Sequence, residues 1–296
     1  MTYPEFKNIA IIGMGLMGGS LGKALCQQFS GVTVTGIVRR ENAVDEVISN
    51  NAAHYCTTDL CEGLKHADLV VLAIPVETIC GFAPKIAPLL ADGCVVTDMG
   101  STKEKIVSAM NDALENTAYF VGSHPMCGSE MASIGNASAE LYRNALCIIT
   151  PDDRTNTSSA QKVERFWKSI GCRTTLMPPA GHDRLVAAIS HIPHLIAAGL
   201  VNTAKQVTSD SCTAFELASS GFIDTTRVAS GSPEMWLDIC VSNWRHIVEV
   251  LKKFEDVICA LRHNIEKQDV PEILSFLQTA KTARDSVITA KKGIEK

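Results

Sequence analysis

The sequence predicts an α/β domain built on a doubly wound parallel sheet, followed by an all-helical region. Three observations carry this. The first half alternates short, continuous apolar runs with helical patterns, and a glycine-rich turn closes the first run. Beyond Pro178-Pro179 no strand pattern recurs, while apolar residues fall at steps of three and four. Strands without in/out alternation belong to sheets covered on both faces, and helices between such strands make βαβ units.

The elements follow in order. Asn8 to Gly13 reads as a buried strand, then a helix from about Gly15 to Phe29, then a second strand from Val32 to Val38. Asp68 to Ile74 is a continuous apolar run ended by Pro75. Gly93 to Asp98, Tyr119 to Gly122 and Leu146 to Thr150 are further strands. Ala180 to Gln206 reads as one long helix bent at Pro193. From Pro233 onward, Val241, Trp244, Val248, Leu251, Phe254, Ile258, Leu261 and Ile265 define a long amphipathic helix. Pro271 opens a last one. The division falls near residue 179, giving a dinucleotide-binding domain over 1–179 and a helical domain over 180–296. Lys281, Arg284, Lys291 and Lys292 read as a solvated helix face.

Composition narrows the function. A net charge of -5 lacks the basic footprint of a nucleic-acid binder. The 11 cysteines form no C-x-x-C pair and mostly sit in apolar runs such as Asp238-Ile239-Cys240-Val241, so they read as small buried hydrophobes in a reducing, cytoplasmic setting. The N-terminus shows no signal pattern. The stretch Leu69 to Leu90 is broken by Pro75, Glu77, Pro84, Lys85 and Pro88, which excludes it as a membrane span.

The first strand runs into Gly13-Met14-Gly15-Leu16-Met17-Gly18, a G-x-G-x-x-G turn between strand and helix. Gly13 permits the turn, Gly15 lets the backbone approach a pyrophosphate, and Gly18 lets helix and strand pack closely. Leu16 and Met17 then supply the helix N-terminus that faces the phosphates. This is the Rossmann pattern. An acid about 20 positions further on would read the ribose hydroxyl of NAD. Here Val38 holds that place and Arg39-Arg40 follow it, with Glu41 as a substitute acid. Two guanidiniums attract a 2′-phosphate, which favours NADP over NAD.

Ligands in open parallel sheets bind beyond the carboxyl ends of the strands. Three segments lie there: Ile74-Pro75, a cofactor-binding candidate; Asp98-Met99-Gly100-Ser101-Thr102-Lys103; and Ser123-His124-Pro125-Met126-Cys127-Gly128. A histidine at such a place suits proton abstraction, because its ordinary pKa lies near neutrality. In the helical half, Ser190-His191-Ile192-Pro193-His194 has the look of a metal site. It lacks a carboxylate at a helpful spacing, so no metal is expected. Gly221-Phe222-Ile223-Asp224-Thr225-Thr226-Arg227 places an arginine in an apolar stretch. Burying it needs an anion, either Asp224 or a substrate carboxylate held in a bidentate fork.

These segments occur in order over nearly the whole chain, and together the chain resembles the prephenate/arogenate dehydrogenase family of tyrosine biosynthesis. The resemblance implies an NAD(P)-dependent oxidative decarboxylation of a small dianionic ring substrate. His124 would accept the ring hydroxyl proton, with Ser101 orienting it and the substrate. Ser190 and His194 would bind substrate, Arg227 would hold its side-chain carboxylate, and Trp236 would line the pocket. Such enzymes resemble one another in dimerising through the helical domain, which implies a homodimer. Val38-Arg39-Arg40 departs from the acidic NAD signature of many members.

Prephenate, slightly favoured, and arogenate differ only in a keto or amino group on the side chain. Two rivals fit less well. A β-hydroxyacid dehydrogenase would place a catalytic lysine on the interdomain helix, and no Lys occurs between Lys168 and Lys205. A non-catalytic NADP(H) sensor would keep the glycine loop but have no use for Ser101, His124 and Arg227 together.

Overall fold

The computed structural model describes residues 5–115, 117–127, 133–209 and 211–294. Gly128 and the side chains of Lys291 and Lys292 lie outside the described residues.

The N-terminal part runs β1 (Asn8–Ile12), α1 (Leu16–Gln28), β2 (Thr33–Ile37), α2 (Asn42–Ser49), β3 (Tyr55–Thr57), α3 (Leu60–Leu64), β4 (Leu69–Leu72), α4 (Val76–Ile86), β5 (Val95–Asp98), α5 (Glu104–Leu114), β6 (Tyr119–Pro125), β7 (Leu146–Thr150), α6 (Thr157–Ser169) and β8 (Arg173–Leu176). The strands form one eight-stranded sheet in the order β3-β2-β1-β4-β5-β6-β7-β8. All neighbouring pairs are parallel except β6 with β7. This is the doubly wound, Rossmann-type sheet that the uninterrupted apolar runs predict.

Both faces are covered. Ile9, Ile11, Val71, Val95 and Val121 face one buried layer with Leu21, Leu25 and Trp167. Ala10, Ile12, Val70, Leu72, Val96 and Phe120 face the other with Ile106 and Met110. Successive strand residues therefore enter opposite cores, so the sequence shows no alternation.

β3 and β8 have no counterpart in the sequence reading. Both are edge strands of three and four residues, Tyr-Cys-Thr and Arg-Thr-Thr-Leu, too short and polar to stand out. β6 is longer than the sequence suggests. It runs through Ser123-His124-Pro125, pairing in parallel with β5 through Val121 and antiparallel with β7 from Gly122 onward. His124 thus sits on a strand held by Ile148, rather than in a loop.

The helical part comprises α7 (Pro179–Val186), a π-helical turn over Ala187–His191, α8 (Ile192–Gln206), α9 (Ser220–Thr226), α10 (Pro233–Ser242), α11 (Trp244–Glu266) and α12 (Val270–Ile294). Two expectations change. The irregularity expected at Pro193 takes the form of a π turn over Ala187–His191, directly before α8, in a helix that otherwise continues from Pro179 to Gln206. The helix expected from Pro233 onward breaks at Asn243, whose backbone (φ -115, ψ 25) ends α10. By its internal contacts the chain forms two compact units, Met1–Trp244 and Arg245–Lys296.

Pro179–Gln206 has the length and mean hydropathy, 1.5, of a membrane-crossing helix. It nevertheless carries His182, Asp183, His191 and His194 as buried residues, and these belong to the site described below. The cysteines are all free; Cys94, Cys147 and Cys172 are buried as expected, but Cys61 and Cys259 are exposed.

Gly13 has φ +94, and a Cβ there would stand 2.5 Å from the Ala73 carbonyl oxygen; one on Gly18 would stand 1.9 Å from that of Gly13. Both obstacles are backbone, so neither can swing aside. Gly81, inside α4, has nothing within 4 Å of its Cβ position. Gly18→Ala is expected to destabilise by about 3 kcal/mol. Gly81→Ala should stabilise by roughly 0.5–1 kcal/mol through the backbone entropy of glycine. Urea unfolding midpoints of the two variants check the contrast.

Candidate active site

The loop after β5 is built around buried charge. The Asp98 carboxylate accepts hydrogen bonds from Gly100 N (2.8 Å) and Ser123 N (3.1 Å), and pairs with Lys103 Nζ. Both side chains of that pair are fully buried, and Lys103 Nζ also donates to the Ser123 carbonyl at 2.9 Å. Ser123 Oγ donates to the Asp98 carbonyl (2.6 Å) and accepts from Trp167 Nε1 (3.0 Å). The ends of β5 and β6 are thereby fixed to each other and to α6. The attraction within a buried ion pair offsets its desolvation only when further hydrogen bonds engage the charged groups, as these do.

On this frame stands a chain of three side chains. His124 Nδ1 lies 2.8 Å from His182 Nε2, and His182 Nδ1 lies 2.7 Å from Asp183 Oδ1. Asp183 is fully buried; Oδ1 accepts from Lys103 N (2.7 Å) and Oδ2 from Glu104 N (3.0 Å). These N–H groups open α5, whose own cap residue offers no side-chain acceptor. A carboxylate there satisfies orphan donors and meets the positive end of the helix.

The chemistry of the donors then fixes the tautomers. Asp183 serves as the acceptor, so His182 Nδ1 donates. Burial lowers the His182 pKa, so the ring is neutral and its Nε2 is an acceptor. His124 Nδ1 therefore donates to it, and His124 Nε2 keeps its lone pair. Burial, followed by His182, Lys103 and His191, pushes the His124 pKa well below the ordinary value. The result is a half-buried neutral imidazole with one basic nitrogen.

Sequence reasoning assigns the orienting role to Ser101. Ser101 is half-buried beside Thr102 but makes no hydrogen bond to His124 among the described residues; His182 makes it instead. The sequence reading places His182 and Asp183 only within the long helix from Ala180 to Gln206 and gives them no role. The signal was present: Asp183, Val186 and Ala187 lie on one face at steps of three and four, and all three are buried.

A second cluster lies on the helical part. His194 and Trp236 stack with ring centroids 3.5 Å apart and planes 13° from parallel. His191 stands edge-on to Trp236, at 6.1 Å and 83°. His194 Nδ1 is buried and has no hydrogen-bond partner among the described residues. A Cβ on Gly231 would come within 2.7 Å of Trp236 Nε1, so the stack needs glycine there. Ser190 is half-buried in the π turn.

Arg227 opens the short turn Arg227–Ser230 that leads into Gly231. It is exposed rather than buried, which removes the burial argument made from sequence, and Asp224 is exposed too. It lines a cavity of about 450 Å³ with Phe215, Phe222, Ile223 and Thr226. Neither His124 nor His194 lines that cavity.

The glycine loop fits a dinucleotide. α1 begins after Gly15 with no side-chain cap and no acid in its first turn, so its N–H groups suit a pyrophosphate. Leu16 is buried and Met17 half-buried against the core. Ile74-Pro75 lead into α4, whose Glu77 N donates to Asp238 of α10 (3.1 and 3.3 Å). Arg39 and Arg40 are exposed beyond β2, and Glu41 accepts a hydrogen bond from Thr58 Oγ1.

Residues 21–176 match the nucleotide-binding domain of prephenate dehydrogenase, and residues 178–279 match its dimerization domain. The chain belongs to the prephenate dehydrogenase family. As a family member it is an oxidoreductase, and its fold is that of solved relatives. It is 34% identical over 280 residues to the cyclohexadienyl dehydrogenase of Zymomonas mobilis, covering 94% of this chain and 95% of that one. The prephenate dehydrogenase of Aquifex aeolicus, solved with hydroxyphenyl propionate and NAD+, superposes with a TM-score of 0.90 at 28% identity, over 95% of this chain and 98% of that one. Synechocystis arogenate dehydrogenase gives 0.82 at 28% identity, over 94% and 99%.

Four histidines with lowered pKa, His182, His191 and His194 buried and His124 half-buried, make the stability of this family member pH-dependent. Burial lowers His191 from 6.5 to about 4, and His124, His182 and His194 move the same way. Below pH 6.5 the unfolded chain binds protons that the folded one refuses. The stabilisation is complete above that pH and is lost as pH falls toward the folded values, at about 1.4 kcal/mol per pH unit for each histidine inside its window. Unfolding followed from pH 7.5 to 5 should show this slope, and it should be shallower in His191→Gln.

Proposed function

We propose that this family member oxidises and decarboxylates prephenate, with His124 Nε2 taking the proton of the ring hydroxyl. The observation that carries the reading is the chain Asp183–His182–His124, which leaves one unprotonated nitrogen on a neutral imidazole. A base must be deprotonated at the working pH, and burial secures that here. The frame of Asp98, Lys103 and Ser123 keeps the imidazole in place, so orientation is supplied before substrate arrives. Loss of carbon dioxide from the opposite end of the ring makes the product aromatic and the step effectively irreversible.

Gly13, Gly15, Leu16, Met17, Gly18, Ile74 and Pro75 would hold the dinucleotide, which when bound accepts the hydride. His194, Trp236 and Ser190 form the substrate-binding side; the unpartnered His194 Nδ1 supports this. Arg227 binds the side-chain carboxylate, and Ser101 contacts substrate rather than the base. Arogenate is the second reading, favoured by the likeness to the Synechocystis enzyme. The division near residue 179 separates the cofactor domain from a helical domain for substrate binding and dimerisation. The matched dimerization domain, with Ile258, Ile265, Leu274 and Leu277 exposed, supports a homodimer. We place the enzyme in the cytoplasm.

Initial rates of nicotinamide reduction, with prephenate or arogenate and with NAD+ or NADP+, test the activity. Turnover of neither substrate by folded protein that binds a dinucleotide would sink the reading in favour of a sensor. His124→Asn should lower kcat by roughly 10²- to 10⁴-fold with KM little changed.

NADP+ is the preferred cofactor in this proposal. The exposed Arg39 and Arg40 can meet a 2′-phosphate, while Glu41 is engaged with Thr58. Replacing both arginines with alanine should reduce the NADP+/NAD+ ratio of kcat/KM about tenfold or more, as expected for lost charge-assisted bonds. An unchanged ratio makes them surface charges only.

A further inference from the structure

Asn243 interrupts the helix expected from Pro233 onward, and its side chain turns inward to become 3% exposed. Its Nδ2 donates to the Asp183 carbonyl oxygen at 2.8 Å and lies 3.2 Å from His191 Nδ1. A carbonyl oxygen can only accept, so the amide must present nitrogen, not oxygen, to Asp183. That same nitrogen then faces His191. Since NH₂ only donates, His191 Nδ1 is bare and the ring proton resides on Nε2.

The two partners of Asn243 lead to the two halves of the site. Asp183 holds His182 and through it His124. His191 stands edge-on to Trp236, which stacks on His194. We propose that Asn243 is a positioning residue that locks His191 in its Nε2-protonated tautomer and ties the Trp236–His194 stack to the backbone carrying the His182–Asp183 pair. The break at Asn243 has a purpose in this account: a helical residue continuing α10 would lack this amide at this depth. The inference about substrate rests on the proposed function; the tautomer does not.

The test uses the full-length protein with heavy-nitrogen-labelled histidine, the His191 ring being assigned by its loss in His191→Gln. In the wild type, nuclear magnetic resonance should show a bare Nδ1 and a protonated Nε2 on His191. A protonated Nδ1 overturns the proposal with no variant needed. Asn243→Asp keeps the size of the side chain and removes both donors. It should abolish the bare-Nδ1 signature and raise KM for the ring substrate about tenfold or more, the loss expected for a broken buried hydrogen bond. An unchanged signature, or a changed signature with wild-type KM, overturns it. A wild type that turns over neither substrate counts against the proposed function alone, because the spectrum needs no turnover.

Discussion

Asp183 is a carboxylate with no access to solvent, and the arrangement around it follows from that constraint. A buried charge is tolerated only when its hydrogen-bonding capacity is met. Here the first N–H groups of α5 meet it from one side and His182 from the other. The helix gains an anion at its positive end, and the anion gains donors that cannot rotate away. Because those donors are backbone, Asp183 has only one role left to offer a side chain, that of acceptor. The protonation pattern of His182 and then of His124 follows by elimination.

The sheet supplies the ground for this. β6 leaves its parallel partner and joins β7 in the antiparallel sense at the point where His124 stands. The Asp98–Lys103 pair closes the loop between β5 and α5, and Thr102 Oγ1 donates to Ser242 Oγ of α10 at 3.0 Å. Asp238 of α10 caps α4 beside Ile74-Pro75. One helix from the second half of the chain, α10, thus anchors two of the loops at the carboxyl ends of the strands. Substrate and cofactor candidates are carried on elements that brace each other.

Much of this was legible in the sequence. The uninterrupted apolar runs gave away a sheet buried on both sides, and the glycine spacing located the first turn, because Gly13 and Gly18 have neighbours that admit no Cβ. His124 stood out through its Pro and Gly neighbours. What could not be read depends on contacts distant in sequence. His182 lies 58 residues from His124, and Asn243 lies 60 from Asp183. No local spacing links such pairs. Arg227 shows the opposite failure: its apolar neighbours in sequence implied burial, yet the single chain leaves it exposed. β3 and β8 went unseen because edge strands need little hydrophobic content.

The central claim is that the ionised Asp183 dictates where the protons sit. Neutron diffraction from crystals of perdeuterated protein, grown near neutral pH, locates those positions directly. The account predicts deuterium on His182 Nδ1 and on His124 Nδ1, with none on the Asp183 carboxylate and a bare His124 Nε2. Deuterium on His182 Nε2 with a bare His124 Nδ1 would contradict it, since the basic nitrogen of His124 would then point into the protein.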